Sequence, residues 1–399
     1  MIRLLLIADD LTGALDTGVR LAEQGFKTKV MTYLPVCMDQ EDADVLVIDT
    51  ESRHLSEKEA YGRVKDVFAV PGAKDVPHIY KKTDSALRGN IGAELQAVLD
   101  ASGEDSAAFI PAYPGVGRIT RDGIQYINGV PVSMSEFGRD SFNPIKTSCI
   151  KDIIGEQTDI PVHTAKDPGS WTRRPGITVM DAASDADMEA WAEKAGGQGI
   201  RVLAGCGGAA AHLRSLIGEG TYSFEIPYPG DGLFVFSGSI HPETKRQTEK
   251  APLLYKRITV PEGLIGEKDL IKTPAGTELI DRLRRVIREN GRVIFTSDSG
   301  SAAEDGACTE EIRRTVARNL GDIYREISDL LLDRPVMIVG GDTLRECMDA
   351  SGTCELMPLG ELFPGVVVSE YIKEGKRRIL ITKSGGMGKD TLFRDIMSL

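Results

Sequence analysis

The chain of 399 residues has few cysteines and fewer histidines, and neither kind is grouped. Cys37, Cys149, Cys206, Cys308, Cys347 and Cys354 show no C-x-x-C pair and no histidine at metal-ligand spacing. They read as reduced, buried small hydrophobes of a cytoplasmic enzyme. His54, His78, His163, His212 and His241 each stand alone. No zinc site, no histidine-based nucleophile relay and no metal-binding residue is expected. No stretch approaches the roughly 18 apolar residues of a membrane span, and the apolar run after Arg3 ends at Asp9-Asp10, too soon for a signal peptide. Positive charge is short as well: 48 Lys and Arg face 60 Asp and Glu, a formal net charge of −12. That balance argues against nucleic-acid and anionic-membrane partners, and it requires any acidic ligand to be met by locally concentrated cations. A homo-oligomer is left open.

What remains is ordinary for a globular protein, with 41% hydrophobic and 27% charged residues and a length suggesting two domains. Apolar strand-like runs at 29–33, 45–48, 78–81, 107–110, 177–180 and 201–204 alternate with helical stretches, one of them spanning 11–24. This is the pattern of βαβ units. Between 111 and 149 the alternation breaks into a long segment rich in Gly, Pro and Arg, expected to act as a lid or as a rigid surface arm. Two prolines and two glycines at 225–232 read as a linker. Beyond it, strands at 233–236, 292–296, 336–339 and 378–382 resume, with a long amphipathic helix at 309–332. The expected fold is α/β, with two domains, 1–228 and 229–399, each a mainly parallel sheet flanked by helices. The active site is expected in the cleft between them.

Chemistry gathers at strand ends, where open α/β sheets bind ligands. The first strand runs directly into Asp9-Asp10-Leu11-Thr12-Gly13-Ala14. One acid can cap the following helix, but two are present. Asp49-Thr50-Glu51-Ser52-Arg53 ends the third strand. Lys81-Lys82-Thr83-Asp84-Ser85-Ala86-Leu87-Arg88 ends another and is the best anion-recognition turn of the chain, combining mobile ammonium groups with a planar guanidinium. A purely structural alternative has Lys81 facing solvent and Arg88 paired with Glu94.

In the second domain, Ser237-Gly238-Ser239, Gly340-Gly341-Asp342-Thr343 and Lys383-Ser384-Gly385-Gly386-Met387-Gly388 each follow a strand. Small-residue turns of this kind let backbone N–H groups approach a phosphate, and three on one sheet favour a nucleotide. The last lacks the G-x-x-x-x-G-K-[ST] spacing, so it is no Walker A loop, and no dinucleotide G-x-G-x-x-G follows the first strand.

Taken together, Ala8-Asp9-Asp10-Leu11-Thr12-Gly13-Ala14, Lys82-Thr83-Asp84-Ser85-Ala86-Leu87-Arg88-Gly89-Asn90, Pro111-Ala112-Tyr113-Pro114 with Gly117-Arg118, and the three glycine-containing turns resemble the four-carbon acid sugar kinases. The resemblance runs the length of the chain. It departs from the family pattern at Ala86, Asp342 and Gly386-Met387, where Thr, Glu and Asn-Phe are usual. It implies phosphorylation of the terminal hydroxyl of threonate, erythronate or an oxo-tetronate by ATP with Mg2+. Sugar-acid contacts are implied for Asp9, Asp10, Arg53, Lys81, Lys82, Thr83, Asp84, Ser85 and Arg88, with Asp10, Asp84 and Lys82 as catalytic groups. Nucleotide contacts are implied for Ser237, Ser239, Gly340, Gly341, Asp342, Thr343, Gly385 and Gly386. Phosphoryl transfer needs positioning cations and a carboxylate for the hydroxyl proton. Arg53 and Lys82 would hold the substrate carboxylate, and either Asp10 or Asp84 would serve as base. Two other readings stand beside it: a phosphatase with a strand-end Asp nucleophile, and a non-catalytic sugar-acid binding protein.

Overall fold

The computed structural model describes all residues except 141–143, 231, 262 and 298–309. Ser141, Phe142 and Asn143 of the expected arm, Asp231 of the linker, and Cys308 and Thr309 therefore lie outside the described residues. The chain divides into two compact units, Met1–Ser223 and Phe224–Leu399.

The first unit contains β1 (Leu4–Ala8), β2 (Thr28–Met31), β3 (Val45–Asp49), β4 (His78–Lys82), β5 (Ser106–Ile110), β6 (Arg118–Arg121), β7 (Ile124–Ile127), β8 (Val130–Pro131), β9 (Val162–Ala165), β10 (Gly176–Met180) and β11 (Val202–Gly205). Its main sheet has the order β2-β3-β1-β4-β11-β5-β10-β9 and is parallel throughout. Helices cover both faces of a parallel sheet, so its central strands are buried on both sides; every residue of β1 is buried, and β4 ends in two buried lysines. Register then decides what meets. Ala8 pairs with Asp49 on one side and Lys82 on the other, so the segments leaving β3, β1 and β4 emerge side by side.

The helix after β1 covers Leu11–Ala22, two residues shorter than its periodicity suggests, with Asp10 as N-cap accepting from Gly13 N. The segment 111–149 is not irregular as its composition implies. It forms the antiparallel ribbon β6-β7-β8, fastened to the body by bridges from Thr120 to Ala182 and from Ile124 to Cys149. Gly117, Gly123 and Gly129 all adopt positive φ at its bends, and the alternation of β7 buries Gln125 and Ile127.

The second unit contains β12 (Leu233–Ser237), β13 (Lys256–Thr259), β14 (Arg292–Thr296), β15 (Val336–Val339), β16 (Glu355–Phe363), β17 (Val366–Lys373) and β18 (Lys376–Lys383), in the order β13-β14-β12-β15-β18-β17-β16. Five strands are parallel, and β17 and β16 complete the sheet antiparallel. The β17–β18 hairpin turns on Glu374-Gly375, both at positive φ, which is the two-residue turn matched to strand twist. The long helix covers Glu310–Ile327 and passes into a 3-10 turn at Ser328–Leu331. Phe236 stacks on Phe295 with ring centroids 4.8 Å apart and meets Tyr324 edge-on, filling one face of the sheet. Among the described residues no helix is long and apolar enough to cross a membrane.

Candidate functional site

At the ends of β3, β1 and β4, four charged side chains lock together. Arg53 donates from Nε to Asp9 Oδ2 at 2.7 Å and from Nη2 to Asp10 Oδ1 at 2.5 Å. Lys82 Nζ bridges the same two acids, 3.0 Å from Asp9 Oδ1 and 2.8 Å from Asp10 Oδ1. Asp9 is only 2% exposed and both its oxygens are engaged. Burial pushes its carboxyl up, but Arg53, Lys82 and Lys81 outweigh that and hold it below the usual carboxylate range. The same acids act in reverse on Lys82: burial alone would lower it, and Asp10 and Asp9 hold it above the ordinary lysine value. Asp10 differs from its neighbour. Its Oδ1 takes Arg53, Lys82 and the N-cap bond from Gly13, at 3.2 Å, while no described residue donates to Oδ2.

The turn after β4 is organised around Asp84. Arg88 grips it in two-pronged fashion, Nε to Oδ2 at 2.9 Å and Nη2 to Oδ1 at 3.1 Å, and Ala86 N and Arg88 N add 3.2 Å bonds to Oδ2. Burial raises this carboxyl, but Arg88 and Arg53 hold it well below the usual range. The tight cradle forces Leu87 to φ 67°, a left-handed conformation that a branched side chain adopts only when its surroundings dictate it. Arg88 Nη1 also reaches Asp140, at 3.2 Å. Ser85 Oγ accepts from Arg118 on β6. Thr83 N is tied to Gly205 O at 2.7 Å, while its buried hydroxyl has no partner.

Lys81 is brought near the cluster but not to the surface. It is fully buried, ion-paired with Glu94 at 2.9 Å and bonded to the carbonyls of Lys82 and Ile7, so it braces the turn from below. The structural alternative is thus corrected on both counts. Lys81 does not face solvent, and Arg88 pairs with Asp84 and Asp140 because Lys81 has taken Glu94.

In the second unit, the turns after β12, β15 and β18 follow adjacent strands and close on one another. A Cβ on Gly385 would lie 2.4 Å from Ser239 Oγ, and one on Gly238 would lie 2.1 Å from Thr343 Oγ1. Gly340, at φ 109°, comes close to Ser239 N and Thr343, and Gly386 faces His241. Ser237 sits beneath, with no exposure and a hydroxyl that has no partner. Gly341 opens the helix Gly341–Ser351, which no side chain caps. Asp342 is less central, drawn 2.7 Å from Arg313 Nη1.

Sequence reasoning assigned no role to Lys383, yet this buried ammonium holds the last turn together. It donates to Ser384 O at 2.9 Å, Gly385 O at 3.1 Å, Met387 O at 2.9 Å and Thr244 Oγ1 at 3.3 Å. Burial pulls its pKa down to about 8, with Glu243 acting in the opposite sense. The signal was a lysine closing an apolar strand, the same signature that marked Lys82. Arg118, Phe137 and Asp140 were also missed as site residues, because the ribbon that delivers them lies far away in sequence. Among the described residues no group of three or more His, Cys, Asp or Glu is arranged to hold a metal ion.

Comparisons with known proteins find a match in each unit. Residues 4–213 match the family described as a sugar-binding N-terminal domain, and residues 234–393 match that described as a nucleotide-binding C-terminal domain. A D-threonate kinase of Salmonella typhimurium is 28% identical over 99% of this chain and 97% of its own length. A D-threonate kinase of Bordetella bronchiseptica is 34% identical over 98% of this chain and 95% of its own. A solved Salmonella typhimurium protein shares the fold, with a TM-score of 0.81 at 18% identity over 99% of this chain and 98% of that one. The chain belongs to the four-carbon acid sugar kinase family.

Proposed function

We propose that the protein transfers the γ-phosphoryl group of ATP to the terminal hydroxyl of a four-carbon sugar acid. Residues 1–228 would hold the acid and residues 229–399 the nucleotide. The observation that carries this reading is the Asp9–Asp10–Arg53–Lys82 cluster: cations buried at a strand edge of an acidic protein, where a small carboxylate could exchange for an internal one. Arg53 and Lys82 would grip the substrate carboxylate. Asp10, whose Oδ2 has no protein donor among the described residues, suits acceptance of the hydroxyl proton. Asp84, saturated by Arg88 and two backbone amides, suits orienting the turn with Thr83 and Ser85, and Lys81 suits a supporting role beneath it.

In the nucleotide half, a turn whose carbonyls converge on Lys383 leaves its amide side for an anion, beside the uncapped start of Gly341–Ser351. With no carboxylate cluster among the described residues to cage it, Mg2+ would arrive with ATP and supply charge neutralisation. Transfer requires that water be excluded as a competing acceptor. The phosphatase reading is not favoured by the kinase relatives, and Asp9, with both oxygens bound and buried, is not available as its nucleophile. Dependence on ATP and buried thiols such as Cys206 fit a cytoplasmic setting.

A coupled assay for ADP, run with D-threonate, D-erythronate and the oxo-tetronates, tests the proposal. ADP formation that requires one of these acids is expected. Absence of acid-dependent ADP across the panel, or acid-independent phosphate release from a generic ester, would overturn it.

A further inference from the structure

Among the described residues, buried polar atoms around the sugar-acid cluster without a hydrogen-bond partner include Arg118 Nε, Asp16 Oδ1 and Thr83 Oγ1. Buried polar groups in folded proteins are nearly always paired, and a local concentration of exceptions next to a binding cluster marks where a polar ligand completes the set. Arg118 opens β6, where its Nη1 donates to Ser85 Oγ and its guanidinium lies 5.3 Å from the Phe137 ring centroid. Arg88 lies 5.2 Å from the same ring, so Phe137 packs against both guanidinium groups. Asp16 stands on the Leu11–Ala22 helix beyond Asp10. Its nearest cation, Arg20 Nη2, is 3.9 Å from Oδ1, too far for a hydrogen bond, and donates instead to Tyr113 OH at 3.0 Å.

Gly207, after β11, lets the chain pass close to this carboxylate: a Cβ there would lie 2.8 Å from Asp16 Oδ2. Burial raises the Asp16 carboxyl, with Arg20, Lys82 and Arg118 counteracting and Asp10 adding to the rise. Asp16 thus shares one electrostatic environment with both the cluster and Arg118.

We propose that Asp16 and Arg118 read the secondary hydroxyl region of the sugar acid, with Asp16 Oδ1 accepting from one hydroxyl and Arg118 Nε donating to a neighbouring oxygen, so that the pair sets substrate specificity. This rests on the kinase reading for the identity of the ligand. The chemistry is complementary to it: Arg53 and Lys82 take the carboxylate end, Asp10 the terminal hydroxyl, and the carbons between fall to the unmatched donor and acceptor. Thr83 Oγ1, able to donate or accept, completes the contact.

The test is calorimetric binding of D-threonate and its 2-deoxy and 3-deoxy analogues to the full-length protein, alongside turnover with ATP. The wild type should bind at least one deoxy acid about ten- to a hundredfold more weakly than threonate, the scale of a hydrogen bond to a charged group. Asp16→Ala should lose most of that discrimination, Asp16→Asn, which keeps an acceptor oxygen, should restore part of it, and Arg118→Lys should weaken threonate more than the deoxy acid. The KM for ATP should not move. Wild type that binds all three acids alike or not at all, or variants that weaken all three equally, would overturn the pair. Discrimination without ADP formation would remove the kinase reading and leave the pair standing, and turnover without discrimination would do the reverse.

Discussion

Replacing Gly13 by alanine should disable the first half-site through a single methyl group. A Cβ there would stand 1.9 Å from Lys82 Nζ and 2.4 Å from both Lys82 Cε and Asp10 Oδ1. Lysine tips usually move aside at little cost, but this one is only 5% exposed and pinned between Asp9 and Asp10. Breaking a buried ion pair costs about 3–5 kcal/mol, whereas alanine in place of glycine favours a helix by about 1 kcal/mol, so a net loss of about 2–4 kcal/mol is expected. The only tryptophans, Trp171 and Trp191, both lie in the first unit. Urea unfolding followed by their fluorescence therefore reports on that unit alone. In a Lys82→Ala background both lysine contacts are gone and only that with Asp10 Oδ1 remains, so the cost of Gly13→Ala should fall well below its value in the wild type. An equal cost in both backgrounds would refute the collision with Lys82 as the cause.

Other perturbations separate the roles of the two units. Asp10→Asn should lower kcat by about 10²- to 10⁴-fold, the range for general acid–base groups, and unchanged turnover would remove Asp10 from the chemistry. Arg53→Ala should chiefly raise the KM for the sugar acid; a change confined to the KM for ATP would show the two half-sites to be assigned backwards. Gly385→Ala, whose Cβ would strike Ser239 Oγ at 2.4 Å, should raise the KM for ATP and leave that for the sugar acid unchanged. Asp9 and Asp84 have folded pKa values held below their unfolded ones, so their stabilisation is present above about pH 4 and is lost as pH falls toward the folded values. The urea midpoint of the first unit should drop across that window, and Asp84→Asn should flatten the drop. Glu94 and Asp16, raised by burial, act in the opposite sense at higher pH.

The strands that build both half-sites were readable because β1, β12 and β15 are almost entirely apolar and fully buried, and β4 joins an apolar start to the lysines that mark its end. The strands β9, β13 and β16 were not. β9 and β13 are short and half polar, and β16 holds Pro358 and Gly360 and a register shift at that point. The acids and cations could be assigned to strand ends, but their partners depended on the order β3-β1-β4, which is set by long-range pairing. That order brings Arg53 across to Asp9, and the competition of Lys81 for Glu94 turns Arg88 back onto Asp84. Arg118 was visible as a motif letter, yet nothing local shows that the ribbon folds back onto Ser85.

The tether made by Lys383 acts on main-chain oxygens, and its consequence is evolutionary. Since Ser384, Gly385 and Met387 are gripped by atoms that every amino acid possesses, the letters at 386 and 387 can drift without unravelling the loop. Lineages in this family should consequently vary more freely at those two positions than at the lysine that anchors them.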